Sequence, residues 1–181
     1  VRAGEHESGL RVAGEGGGAN YENIVYEGYG PSGIAVIVET LTENRNRTAG
    51  DMRHYFDKYG GNMGQTGCVS FMFTRQGVLA VEREGIEEDK LMEDALEAGA
   101  SDFLTEDDVY DIRTEPADFG AVRDALEAKG YSFLSAEVEY VPATYTALTN
   151  EDDIKNMTRM LEMFEDNDDV QAVWHNWEMN E

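Results

Sequence analysis

The chain has 181 residues, 41% of them hydrophobic, which fills the core of one ordinary domain or two small ones and excludes a wholly disordered polymer. Fourteen Lys and Arg against 38 Asp and Glu leave a formal charge of −24, so the molecule as a whole repels phosphate backbones and anionic membranes, and any nucleic-acid contact must be local. A single Cys excludes an internal disulfide framework and a cysteine zinc site, and with no apolar run near the ~20 residues that span a bilayer and no signal-peptide stretch, a soluble, cytoplasmic protein without a membrane partner is expected.

Residues 1–20 mix small, charged and glycine residues without either apolar period and read as a flexible leader. Ile24 and Tyr26, then the run Ile34–Leu41 after Gly-Tyr-Gly-Pro-Ser-Gly, predict two strands joined by a tight turn. Thr48-x-x-Asp51 resembles a capping box, and Ala49, Met52, Phe56 and Tyr59 follow at helical spacing until Gly60-Gly61. Arg45 and Arg47 fall in the loop before this helix, and Asp51, His54 and Lys58 fall opposite its apolar stripe. Val69, Phe71 and Phe73 alternate with Ser70, Met72 and Thr74 and predict a further strand.

From Val78 the pattern is strand 78–83, helix 87–98, strand 101–105, strand 109–114, helix 116–129 and strand 131–140. Pro116 suits a first helical turn and Gly130 a C-cap. This β-α-β-β-α-β order is the ferredoxin-like split unit. Ile154, Met157, Leu161 and Phe164 then mark an amphipathic helix, and Val170–Trp177 a last strand. The early elements lack a closing helix and strand, which the last two supply. An α+β chain of two α/β domains is therefore expected: residues 21–77 with 142–181 as one discontinuous domain, and 78–141 as a ferredoxin-like insert, with Arg75-Gln-Gly77 as the break between two strands.

Charge is unevenly spread: residues 1–44 hold 2 basic and 7 acidic side chains, 45–83 hold 6 and 3, and 84–181 hold 6 and 28. Arg45, Arg47, Arg53, Lys58, Arg75 and Arg83 thus form a basic island on an acidic body. The surrounding acidity reads either as a solvated face or as adaptation to a salt-rich cytoplasm.

Tyr26-Glu-Gly-Tyr-Gly-Pro-Ser-Gly-Ile-Ala-Val-Ile-Val-Glu-Thr-Leu-Thr-Glu-Asn-Arg-Asn-Arg-Thr48, followed by Arg53-His54, Lys58-Tyr-Gly-Gly-Asn62, Met63-Gly-Gln-Thr-Gly67 and Val69–Phe73, resembles the YebC/PmpR family, from about residue 14 to the end of the chain. That family includes bacterial proteins named as probable transcriptional regulators and a mitochondrial translational activator of cytochrome oxidase. The resemblance implies a cytoplasmic, non-enzymatic regulator of gene expression with a ferredoxin-like domain set into a second α/β domain. It also implies a basic N-terminal helical domain, in whose place Val1–Ala13 has nothing of that length or charge.

The candidate nucleic-acid surface comprises Asn44, Arg45, Asn46, Arg47, Thr48, Arg53, His54, Lys58, Asn62 and Arg75. Arginine suits phosphate because its planar fork donates two parallel hydrogen bonds, and a helix N-terminus at Thr48 would add free N–H groups. The alternative is that Arg45, Arg47 and Arg53 are taken up in internal salt bridges. Gly60–Gly67 lacks the Gly-Lys-Ser/Thr of a P-loop and reads as a cap and connector. His6, His54 and His175 have no metal-ligand spacing, the acidic runs do not follow an EF-hand loop, and Cys68 reads as a small buried side chain, so neither metal nor cofactor is expected. The expected partner is DNA, or in a second hypothesis ribosomal RNA on the ribosome, with the acidic insert as a surface for protein partners. A small-molecule substrate would rest on fold analogy alone.

Overall fold

The computed structural model describes residues 20–179, so all of the expected leader except Asn20 lies outside the described residues. In chain order the elements are β1 Glu22–Tyr29, β2 Ala35–Thr42, α1 Arg45–Lys58, β3 Asn62–Met63, β4 Phe73–Glu82, α2 Glu88–Ala98, β5 Asp102–Thr105, β6 Val109–Thr114, α3 Phe119–Ala128, β7 Ser135–Pro142, α4 Glu151–Asp166 and β8 Val170–His175. The fold is mixed α+β with two four-stranded sheets, ordered β3-β1-β2-β8 and β5-β6-β4-β7. The chain divides into two compact units, one of residues up to 73 with those from 142 onward, the other of 74–141.

In the first unit, β1 and β2 pair from Glu22↔Thr42 to Tyr29↔Ala35 across the turn at Pro31–Gly33. The alternation of β2 sends Val36 and Val38, with Ile34, to one face, where Met52 and Phe56 of α1 and Met157, Met160 and Phe164 of α4 cover them. Phe56 and Phe164 meet edge to face at 5.2 Å between ring centres. The end of α1 is set by two glycines: Gly60 takes φ +85°, and a Cβ on Gly61 would lie 1.9 Å from the Tyr29 carbonyl oxygen. Only a bare backbone can cross β1 so closely, and the crossing places the two-residue β3 against Gly28 and Tyr29.

Glu27 points to the opposite face and is 4% exposed. Its carboxylate accepts the N–H groups of Gly67 (2.8 Å), Val69 (3.0 Å) and Ser70 (2.8 Å), and its carbonyl accepts that of Gly64 (2.8 Å). These bonds explain a departure from the periodicity. The N–H groups that a strand over 69–74 would give to a ladder are already taken, so Ser70–Met72 forms a 3-10 turn with Phe71 76% exposed, and the strand begins at Phe73. From there β4 runs unbroken through Arg75-Gln-Gly77, where an interruption was expected.

The second unit has the β-α-β-β-α-β element order, and its sheet order β5-β6-β4-β7 is that of the ferredoxin-like arrangement. Leu79, Val81, Tyr110 and Ile112 pack against Leu91, Ala95, Val122 and Leu126. Pro116–Asp118 forms a 3-10 turn before α3. β7 starts at Ser135, four residues later than the periodicity predicts, because the Tyr131 N–H is spent on the Leu126 carbonyl, capping α3 with Gly130 at φ +96°. The Tyr131 hydroxyl donates to the buried Asp94 at 2.7 Å, and burial together with that carboxylate pushes its pKa up to about 12. Lys90 and Lys129 stand 3.2 and 3.5 Å from Asp94, tying α2 to the end of α3.

Burial pushes the Glu27 carboxyl upward, but its three backbone donors more than offset this and hold its pKa below the ordinary glutamate value. A depressed folded pKa contributes stability that is full above an unfolded pKa of about 4.5 and is lost as pH falls through the folded value. Glu27→Ala therefore costs about 3 kcal/mol at neutral pH by orphaning these donors. Urea unfolding measured at neutral and acid pH is expected to show that loss shrinking on acidification.

Candidate nucleic-acid interface

α1 starts three residues before the expected Thr48. Asn44, in extended conformation (φ −138°, ψ 90°), is the N-cap, and its side chain accepts the Arg47 N–H at 3.0 Å. Arg45 and Arg47 thus lie in the first helical turn and not in a loop. Thr48 is fully buried within that turn, its hydroxyl 2.7 Å from the Thr42 hydroxyl, 3.2 Å from the Asn44 carbonyl and 2.8 Å from Asp169 Oδ2. It presents no free helix terminus to a ligand.

The two leading arginines are both engaged within their own unit. Arg47 Nη2 donates to both oxygens of Asp169, at 3.1 and 3.0 Å, and this bonding raises the Arg47 pKa above its ordinary value. Asp169 is held in turn: its N–H donates to the Asn167 side-chain oxygen at 2.9 Å, and its carbonyl accepts the Leu41 N–H at 2.8 Å. Arg45 meets Glu22 at 3.2 Å, but there both side chains are more than half exposed, at 62% and 52%. Such a pair contributes little and can exchange its partner.

The remaining basic side chains of α1 differ. Arg53, His54 and Lys58 are exposed, and among the described residues none of them forms an ion pair. Lys58 Nζ lies 5.5 Å from the Tyr59 ring centre, and the His54 ring lies 6.1 Å from that of Tyr55. Asp57 is exposed between them. Asn44 and Asn46 are exposed at the start of the helix, and Asn62 is exposed on β3. Arg75 belongs to the second unit, where its guanidinium lies 4.5 Å over the Tyr140 ring. Asn44 to Lys58 thus share α1 and its N-cap, Asn62 lies on β3, and Arg75 belongs to the other unit.

Sequence reasoning missed the acceptors Glu22, Thr42 and Asp169. No local signal separates Asp169 from its exposed neighbour Asp168, because its role depends on chain 122 residues away. Cys68 is half-buried where full burial was expected, and burial followed by the nearby Glu27 charge raises its thiol pKa. Among the described residues, no group of three His, Cys, Asp or Glu side chains is placed to hold a metal, and no helix is long and apolar enough to cross a membrane.

With this geometry in place, comparison with known proteins is decisive for ancestry. The family description "TACO1/YebC second and third domain" matches residues 21–177. The chain belongs to the TACO1/YebC family. It is 58% identical over 168 residues to a probable transcriptional regulatory protein of Clostridioides difficile, covering 92% of this chain and 70% of that one. A protein of the same description from Caldicellulosiruptor bescii is 56% identical over 172 residues, covering 94% and 70%. The crystal structure of a conserved hypothetical protein from Aquifex aeolicus superimposes with a TM-score of 0.78 at 38% identity, covering 91% of this TACO1/YebC chain and 68% of that one.

Removing the Asp169 carboxylate takes away a partner of the buried Thr48 hydroxyl and of Arg47, so Asp169→Ala is expected to destabilise the first unit by about 1–2 kcal/mol. Arg53→Ala should leave the denaturation midpoint unchanged. Chemical denaturation of the two variants beside the parent checks the contrast.

Proposed function

We propose that this chain is a non-enzymatic regulator of gene expression that touches nucleic acid through the exposed side of α1, with Arg53, His54 and Lys58 at the centre and Arg45, Asn46 and Asn62 at its margin. The observation that carries the proposal is that Arg53 and Lys58 stand unpaired among the described residues, with His54 exposed between them in sequence, while the chain as a whole bears −24. A cation without an ion-pair partner can meet a phosphate with no salt bridge to break first. Arg47 and Thr48 act from beneath by fixing the start of the helix. The relatives' description as probable transcriptional regulatory proteins supports DNA as the first target.

The size of the surface favours a second reading. Arg53 and Lys58 are about 7.5 Å apart along the helix axis, which spans about two phosphates. Two contacts are few for an anionic protein on a bare duplex. They suffice where shape and protein contacts supply the rest, as on the RNA of a ribosomal particle.

Fluorescence anisotropy with a labelled DNA duplex and with ribosomal RNA separates these targets. Arg53→Glu combined with Lys58→Glu should abolish binding without shifting the denaturation midpoint, and the logarithm of the parent's affinity should fall against log salt with a slope of about −2. Sedimentation of lysate with ribosomes after DNase treatment favours the ribosomal target. Binding unchanged in the double variant excludes the α1 face.

A further inference from the structure

The first unit carries a second surface, independent of the α1 face. In the order β3-β1-β2-β8, no described strand pairs with the outer edge of β8. Its inner pairing fixes which backbone groups face outward. Asn176 donates its N–H to the Ala35 carbonyl at 3.2 Å, and the antiparallel register continues with Ile37↔Trp174 and Glu39↔Ala172. Because bonding groups alternate along an antiparallel strand, Trp174 and Ala172 also turn their backbone groups toward β2. The N–H and C=O groups of Val173 and His175 then face away from the sheet, and the register shift between Glu39 and Thr40 ends this alternation beyond Ala172.

Beside that edge, β8 and α4 enclose a cleft of about 450 Å³. Leu161, Val173 and Trp177 supply its apolar lining, and Glu162 and Glu165, both exposed, supply the helix side. His175 adds one fixed donor. Its Nδ1 accepts the Trp177 N–H at 3.1 Å, and burial holds its pKa below the ordinary histidine value, so the neutral ring carries its proton on Nε2.

We infer that this cleft binds an extended, cationic segment of a partner protein, which adds to β8 as a further strand. Backbone bonds to Val173 and His175 supply the pairing. On the α4 side of the added strand, an apolar side chain rests on Leu161 and Val173, and a Lys or Arg two positions along meets Glu162 and Glu165. Charge selects this occupant over a second copy of the chain. Pairing β8 with β8 would bring another Glu162 and Glu165 to the same edge on a molecule already at −24.

The probe is a fluorescent heptapeptide, Val-Thr-Lys-Thr-Val-Thr-Lys with blocked ends, titrated into the full chain. Binding should perturb the amide resonances of Val173 and His175 more than those of Ala172 and Trp174. N-methylation of the peptide amides that face β8, which keeps every charge, should weaken binding at least about tenfold, as should Glu162→Lys with Glu165→Lys. The inference is overturned by equal binding of the N-methylated peptide, which means charge adsorption, by undiminished binding by the double variant, or by no binding at millimolar peptide. A dimer of the chain that protects these same amides overturns it in favour of self-pairing.

Discussion

The carboxylate of Asp169 is the point on which the geometry of the first unit turns. It joins three pieces of chain that are remote in sequence: the end of β2 through its own backbone, the first turn of α1 through Arg47 and Thr48, and the turn between α4 and β8 on which it sits. The threonine is fully buried and the acid nearly so, with 16% of its side chain exposed. A charge in that position is stabilised because one guanidinium nitrogen, shared between its two oxygens, and a hydroxyl satisfy it together. The consequence is a division of labour among like residues. Arg47 is committed to the fold, and Arg53 and Lys58, about two and three turns further along α1, are left to solvent.

This division could not be read from the sequence. The basic island stood out, because charge is additive and visible residue by residue. Which of its members are neutralised was invisible, because the partners lie 23 residues away for Arg45 and 122 for Arg47. The same reasoning explains the start of α1. Asn44 and Thr48 are both good caps in isolation, and the choice falls to Asn44 because Thr48 is drawn inward by Thr42 and Asp169.

Elsewhere, legibility follows the range of the determining contacts. The β1–β2 hairpin and the β-α-β-β-α-β order are set by short turns and strong local periodicity, and both were plain. The alternation at Val69–Phe73 was equally regular, yet the segment bends, because the Glu27 carboxylate takes the N–H groups that the strand would need. β3 is two residues long and carries no periodicity at all; it exists because Gly61 lets the chain lie against β1. The 38% identical Aquifex aeolicus protein keeps the fold with a TM-score of 0.78, consistent with an architecture carried by a modest set of buried contacts.

Two kinds of arginine share one helix, and arginine side-chain nitrogen resonances report on each one individually. A titration of the isotopically labelled chain with nucleic acid, followed through the Nε–Hε signals, tests this division most directly. The Arg53 signal is expected to move and broaden while that of Arg47 stays fixed by Asp169 throughout. Movement of the Arg47 signal with Arg53 unaffected would show that the ion pair opens to receive phosphate, and would contradict the assignment of the exposed helix side as the contact surface.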